Sequence, residues 1–278
     1  MNCKLLEELS TEDLKHVQLG TLLGEGSGGK VYKADLRGSV LAVKTIECYD
    51  EKCQINIDRE VNGLKKCIHE NIIKMLGLKK DGLTSLIMME FAECGSLNDY
   101  LFPMKGPRQE YSESTAVDWM QQLAKGVAYL HSRKKPVIHR DLKPANLLLT
   151  QNYKVLKISD FGCVREQTAS MTTEVGTVEY MDPEMAKTSH YKASVDVYSC
   201  GIVFWTIKTR KIPFSHLNNP TNEISILRKA LKGERPPIDD VSSDSLKSLI
   251  SLCWHADPQK RYSMEKVVIE LNKIAADL

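Results

Sequence analysis

The chain lacks a long apolar run, a metal-spaced cysteine pair and an excess of either charge. Its longest apolar stretch, Cys200 to Ile207, is far short of the roughly 20 residues needed to span a bilayer. The start, Met1-Asn2-Cys3-Lys4, has no apolar signal core, and Asn2 stands where myristoylation needs glycine. Eight cysteines (3, 48, 53, 67, 94, 163, 200 and 253) are scattered without a Cys-x-x-Cys pair or a histidine at zinc spacing. That excludes a zinc cage and points to free thiols in a reducing compartment. With 38 basic and 36 acidic residues the formal charge is +2, so nothing suggests a nucleic-acid partner. The cluster Arg133-Lys134-Lys135 has no interleaved aromatics and reads as a solvated loop. Neither internal repeats nor low-complexity tracts occur. These absences predict a cytoplasmic protein with no membrane insertion.

What is present suits one enzyme. At 278 residues, 42% hydrophobic and 27% charged, the chain can bury a substantial core, and no linker-like stretch divides it. Residues 1–16 read as a short helix-prone extension in which Ser10 and Asp13 can form a cap. Residues 17–47 alternate as strands around glycine-rich turns, a helical stretch follows at 54–67, and apolar strands lie near 72–91. From about Ser96 the pattern turns helical, at 112–132, 194–209, 222–232, 243–253 and 263–275. In the first of these the apolar residues fall at 116, 117, 120, 123, 124, 127 and 130. A small, mainly β lobe is therefore expected to precede a larger α lobe.

Gly24-Glu25-Gly26-Ser27-Gly28-Gly29-Lys30-Val31 lies between two strand patterns. Its glycines let backbone amides approach phosphate oxygens with no Cβ in the way. A dinucleotide fingerprint would open a helix, and a Walker loop would end in Gly-Lys-Ser/Thr. A flexible hairpin over a nucleotide and a plain glycine-rich turn are both compatible with the loop alone. Next comes Leu41-Ala42-Val43-Lys44, a strand whose lysine can reach phosphate oxygens. Glu60, on the following helical segment, can hold Lys44 in register, although Glu51 and Asp58 are also nearby.

The densest chemistry is in Val137-Ile138-His139-Arg140-Asp141-Leu142-Lys143-Pro144-Ala145-Asn146, followed by three leucines. Asp141 is the candidate to orient an acceptor hydroxyl and take its proton. Lys143 would offset γ-phosphate charge, and Asn146 would ligate Mg²⁺. Asp160-Phe161-Gly162 follows the strand-like Val155 to Ile158 and offers a second metal ligand. ATP and Mg²⁺ are the cofactors this set requires.

In this series the chain resembles the eukaryotic protein kinase family, from about Val17 to Ile274. The resemblance implies an α+β, two-lobed fold over residues 17–275. Its N-lobe, about 17–91, would be a five-stranded antiparallel sheet with one main helix, and its C-lobe, about 92–275, mostly helical. Thr177 to Glu184 resembles the segment that closes the activation loop. Asp196 to Gly201 resembles the helix bracing the catalytic loop, and Trp254 to Arg261 the distal segment whose arginine pairs with Glu184. Met89-Glu90-Phe91-Ala92 is similar to the hinge, with Met89 as gatekeeper and backbone groups of Glu90 and Ala92 facing adenine. Leu23, Ala42 and Val31 would cover the nucleotide, with the loop residues Gly24 to Lys30, and Leu148 would lie beneath it.

Lys143 and Thr177 are similar to serine/threonine kinases. Gly126 to Ser132, Asn146 to Leu149 and Cys253-Trp254 resemble the tyrosine-kinase-like group, in particular MAP kinase kinase kinases of the TGF-β-activated-kinase type. That likeness implies a MAP kinase kinase as protein substrate and an activating adaptor. It also implies regulation by phosphate on Thr172, with Thr168, Ser170 and Thr173 as neighbours, paired to Arg140. Two departures stand out: Gly28 where the family often has an aromatic, and Asp182 where it usually has alanine. No further module is expected after the kinase fold. A scaffold that binds without catalysis would be expected to have lost Lys44, Asp141, Asn146 or Asp160, and all four are present. Phosphotransfer to a small molecule is disfavoured by the full segment from Asp160 to Glu184.

Overall fold

The computed structural model describes residues 16–26, 29–49, 54–55, 57–58, 61, 65, 67–161, 165–166, 177–188, 192–217 and 223–278. The extension 1–15, the loop tip Ser27-Gly28, Glu51, Glu60, and the loop residues Thr168, Ser170, Thr172 and Thr173 lie outside the described residues. The chain divides into two compact units, Met1–Glu93 with Asp160–Gly162, and Cys94–Ser159 with Cys163–Leu278.

The first unit is built on strands β1 (Gln18–Gly26), β2 (Gly29–Leu36), β3 (Ser39–Glu47), β4 (Met75–Asp81) and β5 (Thr84–Glu90). They form one antiparallel sheet in the order β1-β2-β3-β5-β4, the five-stranded sheet expected. Strands β2 and β3 are joined by Arg37-Gly38, both with positive φ (51° and 83°), a geometry suited to a tight hairpin. Because β3 is the middle strand, four successive residues from Leu41 to Lys44 are buried on alternating faces. Leu41 and Val43 join Ala34, Leu36, Leu76 and Met88 in a core. Lys44 faces the other way, so its burial follows from its strand's central place. In the stretch 54–67, residues 54, 55, 57, 58, 61 and 65 are helical, and Ile57 and Val61, one turn apart, are buried.

The second unit holds six helices among the described residues: α1 (Leu97–Leu101), α2 (Glu113–His131), α3 (Ser194–Thr209), α4 (Glu223–Leu231), α5 (Asp244–Cys253) and α6 (Met264–Ala276). Serine caps start four of them: the side chains of Ser96, Ser112, Ser243 and Ser263 each accept a hydrogen bond from an amide in the first turn. All seven predicted apolar positions of α2 are buried. Helix α3 is buried at every residue from Val195 to Ile207, which identifies the longest apolar run as the centre of a core. At Gly201 an added Cβ would stand 2.8 Å from Cys253 Cβ, so α3 and α5 meet closely there. Short strand pairs complete the unit: β6 (Val137–Ile138) with β9 (Arg165–Glu166), and β7 (Leu147–Thr150) with β8 (Val155–Ile158). Among the described residues no helix is long and apolar enough to cross a membrane.

Candidate active site

In the first unit the glycine-rich hairpin is closed by the register Gly24↔Val31, Glu25↔Lys30 and Gly26↔Gly29. Gly29 has φ 117°, and an added Cβ would lie 2.3 Å from the carbonyl oxygen of Thr45. Only glycine permits this approach of β2 to β3. Leu23, Glu25 and Lys30 are exposed, and Glu25 and Lys30 are 3.6 Å apart as a surface ion pair. Val31 is opposite Lys44, and Ala42 opposite Met89, so the candidate nucleotide-covering residues and the candidate gatekeeper share adjacent strands. The Glu90 carboxylate accepts the Lys74 amide at 2.7 Å, while its own amide donates to the Lys74 carbonyl at 3.0 Å. Glu90 and Ala92 are partly buried.

Lys44 Nζ donates to Asp160 Oδ1 at 3.1 Å. The lysine side chain is 7% exposed and the aspartate 42%. Asp160 holds a left-handed backbone, φ 59°, immediately after the residue that follows β8. The expected Lys44 to Glu60 pair lies outside the described residues.

In the second unit β6 leads into His139-Arg140-Asp141, and a short 3₁₀ turn, Pro144–Asn146, leads into β7. Asn146 Nδ2 donates to the Asp141 carbonyl at 2.8 Å and to Asp141 Oδ2 at 2.9 Å. Lys143 Nζ also meets Asp141 Oδ2, at 2.9 Å. Spending Nδ2 on Asp141 leaves the other end of the Asn146 amide, Oδ1, as an oxygen acceptor, the donor type Mg²⁺ prefers. Leu148, on β7, is partly buried and bridges to Ser96.

The loop's conformation is imposed by Asp196 from the first turn of α3. Its carboxylate is fully buried and accepts the amides of His139 (2.9 Å) and Arg140 (2.8 Å) and His131 Nε2 (2.9 Å). Burial, the largest influence, pushes this carboxyl up. The hydrogen bond from His131, the charges of His131 and His139 and the Arg140 amide together outweigh it and hold the carboxyl below its ordinary value. Two amides pulled to one carboxylate account for Arg140's left-handed φ of 72°. The His139 ring meets the Ser159 carbonyl at 2.9 Å, and Ser159 donates its amide (2.9 Å) and hydroxyl (3.0 Å) to the Asn146 carbonyl. His131 is absent from the sequence-based set, because nothing in the spacing of α2 ties its last residue to Asp196.

Thr177 lies in a small concavity with Arg140, Asp141, Leu142, Tyr180, Met181 and Ser199. One expectation is overturned. Arg261 pairs with Asp182 through both terminal nitrogens, Nη2 to Oδ1 at 3.2 Å and Nη1 to Oδ2, and not with Glu184. Glu184 instead meets Lys187 at 3.5 Å, near the surface. The guanidinium side chain is 1% exposed and the Asp182 side chain 0%, whereas Glu184 remains 30% exposed. A buried cation needs the carboxylate that is itself withdrawn from water.

Over residues 17–270 the chain matches the family described as protein kinase domain. It is 39% identical, over 92% of its length, to a mitogen-activated protein kinase kinase kinase 7-like protein of Drosophila melanogaster. Mitogen-activated protein kinase kinase kinase 7 is 38% identical over 95% of the chain in Drosophila melanogaster and 37% over 92% in Homo sapiens. The chain spans 65%, 38% and 41% of these relatives' own lengths.

Proposed function

The chain belongs to the protein kinase domain family, and from that premise we propose that it transfers the γ-phosphoryl group of ATP to serine or threonine hydroxyls of a protein, as a MAP kinase kinase kinase. The observation that carries this reading is the convergence of Lys143 and Asn146 on one oxygen of Asp141. With both contacts on Oδ2, Oδ1 is left to accept the acceptor's hydroxyl proton. The acceptor oxygen then bonds to phosphorus as the bond to the ADP oxygen breaks. Lys143 stabilises charge on the γ-phosphoryl oxygens, and Lys44 orients the α- and β-phosphates, with Glu60 as its partner. Asn146 and Asp160 would hold Mg²⁺, which supplies neutralisation of phosphate charge when bound. Leu23 to Val31, with Ala42, covers the nucleotide, Met89, Glu90 and Ala92 line its adenine edge, and Leu148 lies beneath it.

In this reading the enzyme works in the cytoplasm on a MAP kinase kinase and is activated by an adaptor; the similarity to mitogen-activated protein kinase kinase kinases supports the first partner. Phosphate on Thr172, with Thr168 and Thr177 as further regulatory positions, pairs with Arg140 and orders the loop. Phosphopeptide mapping that finds Thr172 unmodified in fully active enzyme removes this element.

The main test is phosphate transfer from Mg·ATP to a panel of inactive MAP kinase kinases by wild type, Asp141→Ala and Lys44→Arg. Transfer by wild type that exceeds both variants supports the proposal. Wild type no better than either variant rejects it and leaves a binding scaffold.

A further inference from the structure

The segment Thr177 to Ala186 is tied down at Asp182, and we infer that Asp182, in place of Glu184, is the positioning residue that sets Thr177 beside Asp141. The inference rests on the kinase reading for its activity arm, whereas the geometry stands independently.

Asp182 serves two neighbours at once. Its Oδ1 accepts the Glu184 amide at 3.0 Å, capping the 3₁₀ turn Pro183–Ala186. The same carboxylate takes both terminal nitrogens of Arg261. Arg261 in turn donates Nε to the His255 carbonyl and Nη1 to the Ser194 carbonyl, both at 2.9 Å, and lies over the Tyr198 ring with 5.2 Å to its centroid. One arginine thus fastens the turn to the start of α3 and to the segment after α5.

A short path leads from this anchor to the candidate site. The Tyr180 carbonyl, two residues before Asp182, accepts Ser199 Oγ from α3 at 2.9 Å. The Tyr180 amide donates to the Thr177 carbonyl at 3.0 Å. Thr177, Tyr180 and Ser199 then share one concavity with Arg140 and Asp141. The aspartate suits this role better than the glutamate. Its side chain has one fewer rotatable bond to freeze, and the cap bond already fixes its direction. Glu184 points toward Lys187 and leaves Arg261 untouched by any contact seen here. Replacing Asp182 by alanine recreates the family's usual Ala-Pro-Glu, so Glu184 could move in; asparagine keeps the volume and the cap but loses the charge.

The experiment compares Asp182→Asn, Glu184→Gln and the double variant Asp182→Ala/Glu184→Gln by hydrogen exchange of the amides of 177–187. Steady-state kinetics with Mg·ATP and an inactive MAP kinase kinase as acceptor forms the second arm. Asp182→Asn is expected to speed exchange in this segment about tenfold and to raise the acceptor KM about tenfold, with the ATP KM within about twofold. Glu184→Gln should leave both readouts unchanged, and the double variant should lose at least as much as Asp182→Asn. Glu184→Gln loosening the segment as much as Asp182→Asn would overturn the inference, as would wild-type exchange in Asp182→Asn. If Asp182→Asn does not fold, Glu184→Gln alone decides: intact protection supports Asp182 as anchor, and lost protection refutes it. Absence of any phosphate transfer by wild type removes the kinase reading, while the exchange arm still judges the anchor.

Discussion

Asp141 and Asp160, nineteen positions apart in the sequence, sit in contrasting surroundings. Asp141 is 9% exposed and belongs to a loop whose amides are drawn onto the buried carboxylate of Asp196. The Asp160 side chain is 42% exposed and meets Lys44 across 3.1 Å. The loop proposed to orient a hydroxyl is thus held by buried bonds that water cannot compete for. The carboxylate proposed to serve metal and phosphate is partly open to water.

The contrast can be broken in graded steps. Asp141→Ala should give the largest change, a fall of about 10²–10⁴-fold in phosphate transfer with the fold retained by circular dichroism, since it deletes the proposed base and one contact each of Asn146 and Lys143, while Asp196 still holds the His139 and Arg140 amides. Asp196→Ala strands two buried amides and His131, and should cost about 3 kcal/mol in urea unfolding. A loss below about 1 kcal/mol would mean that the loop is held elsewhere. Lys44→Arg keeps the charge but changes its reach, and a rise of about tenfold in the ATP KM with unchanged urea stability is expected. At the small end, Glu90→Ala removes one acceptor of the Lys74 amide. It should cost about 1 kcal/mol and alter the ATP KM less than threefold, because the hinge role assigned to Glu90 is carried by its backbone.

Acid sharpens the same comparison. The Asp196 carboxyl sits below its ordinary value in the folded chain. On acidification the unfolded chain therefore takes up its proton first. Asp196's contribution to stability is whole above the ordinary carboxylate range and disappears as the pH drops through the lower folded value. Urea midpoints measured from pH 7 downward should fall more steeply below that range in wild type than in Asp196→Asn; parallel curves would show that Asp196 is not the group responsible.

The local signals were legible because they are short-range. The apolar stripe of α2 marks its helix within a few residues of where it occurs. Lys44, Asp141 and Asn146 could be located from their motifs, and the structure gathers Asp141, Lys143 and Asn146 within hydrogen-bonding distance. What could not be read were choices between near neighbours and partnerships across long loops. Asp182 and Glu184 bracket one proline, so spacing gives Arg261 no reason to prefer either; burial decides, and burial is a property of the packed chain. The bond from His131 to Asp196 joins residues on two helices far apart in sequence. Neither periodicity nor composition encodes it.

Gly201 carries no chemistry and touches no candidate substrate, yet its missing side chain leaves α3 and α5 just enough room, with Cys253 Cβ 2.8 Å from where a methyl would go. In a screen of random missense variants it would therefore register as a loss-of-function position for packing alone. A geneticist mapping such alleles onto this chain would meet a lesion at 201 long before finding any reason for it in the reaction.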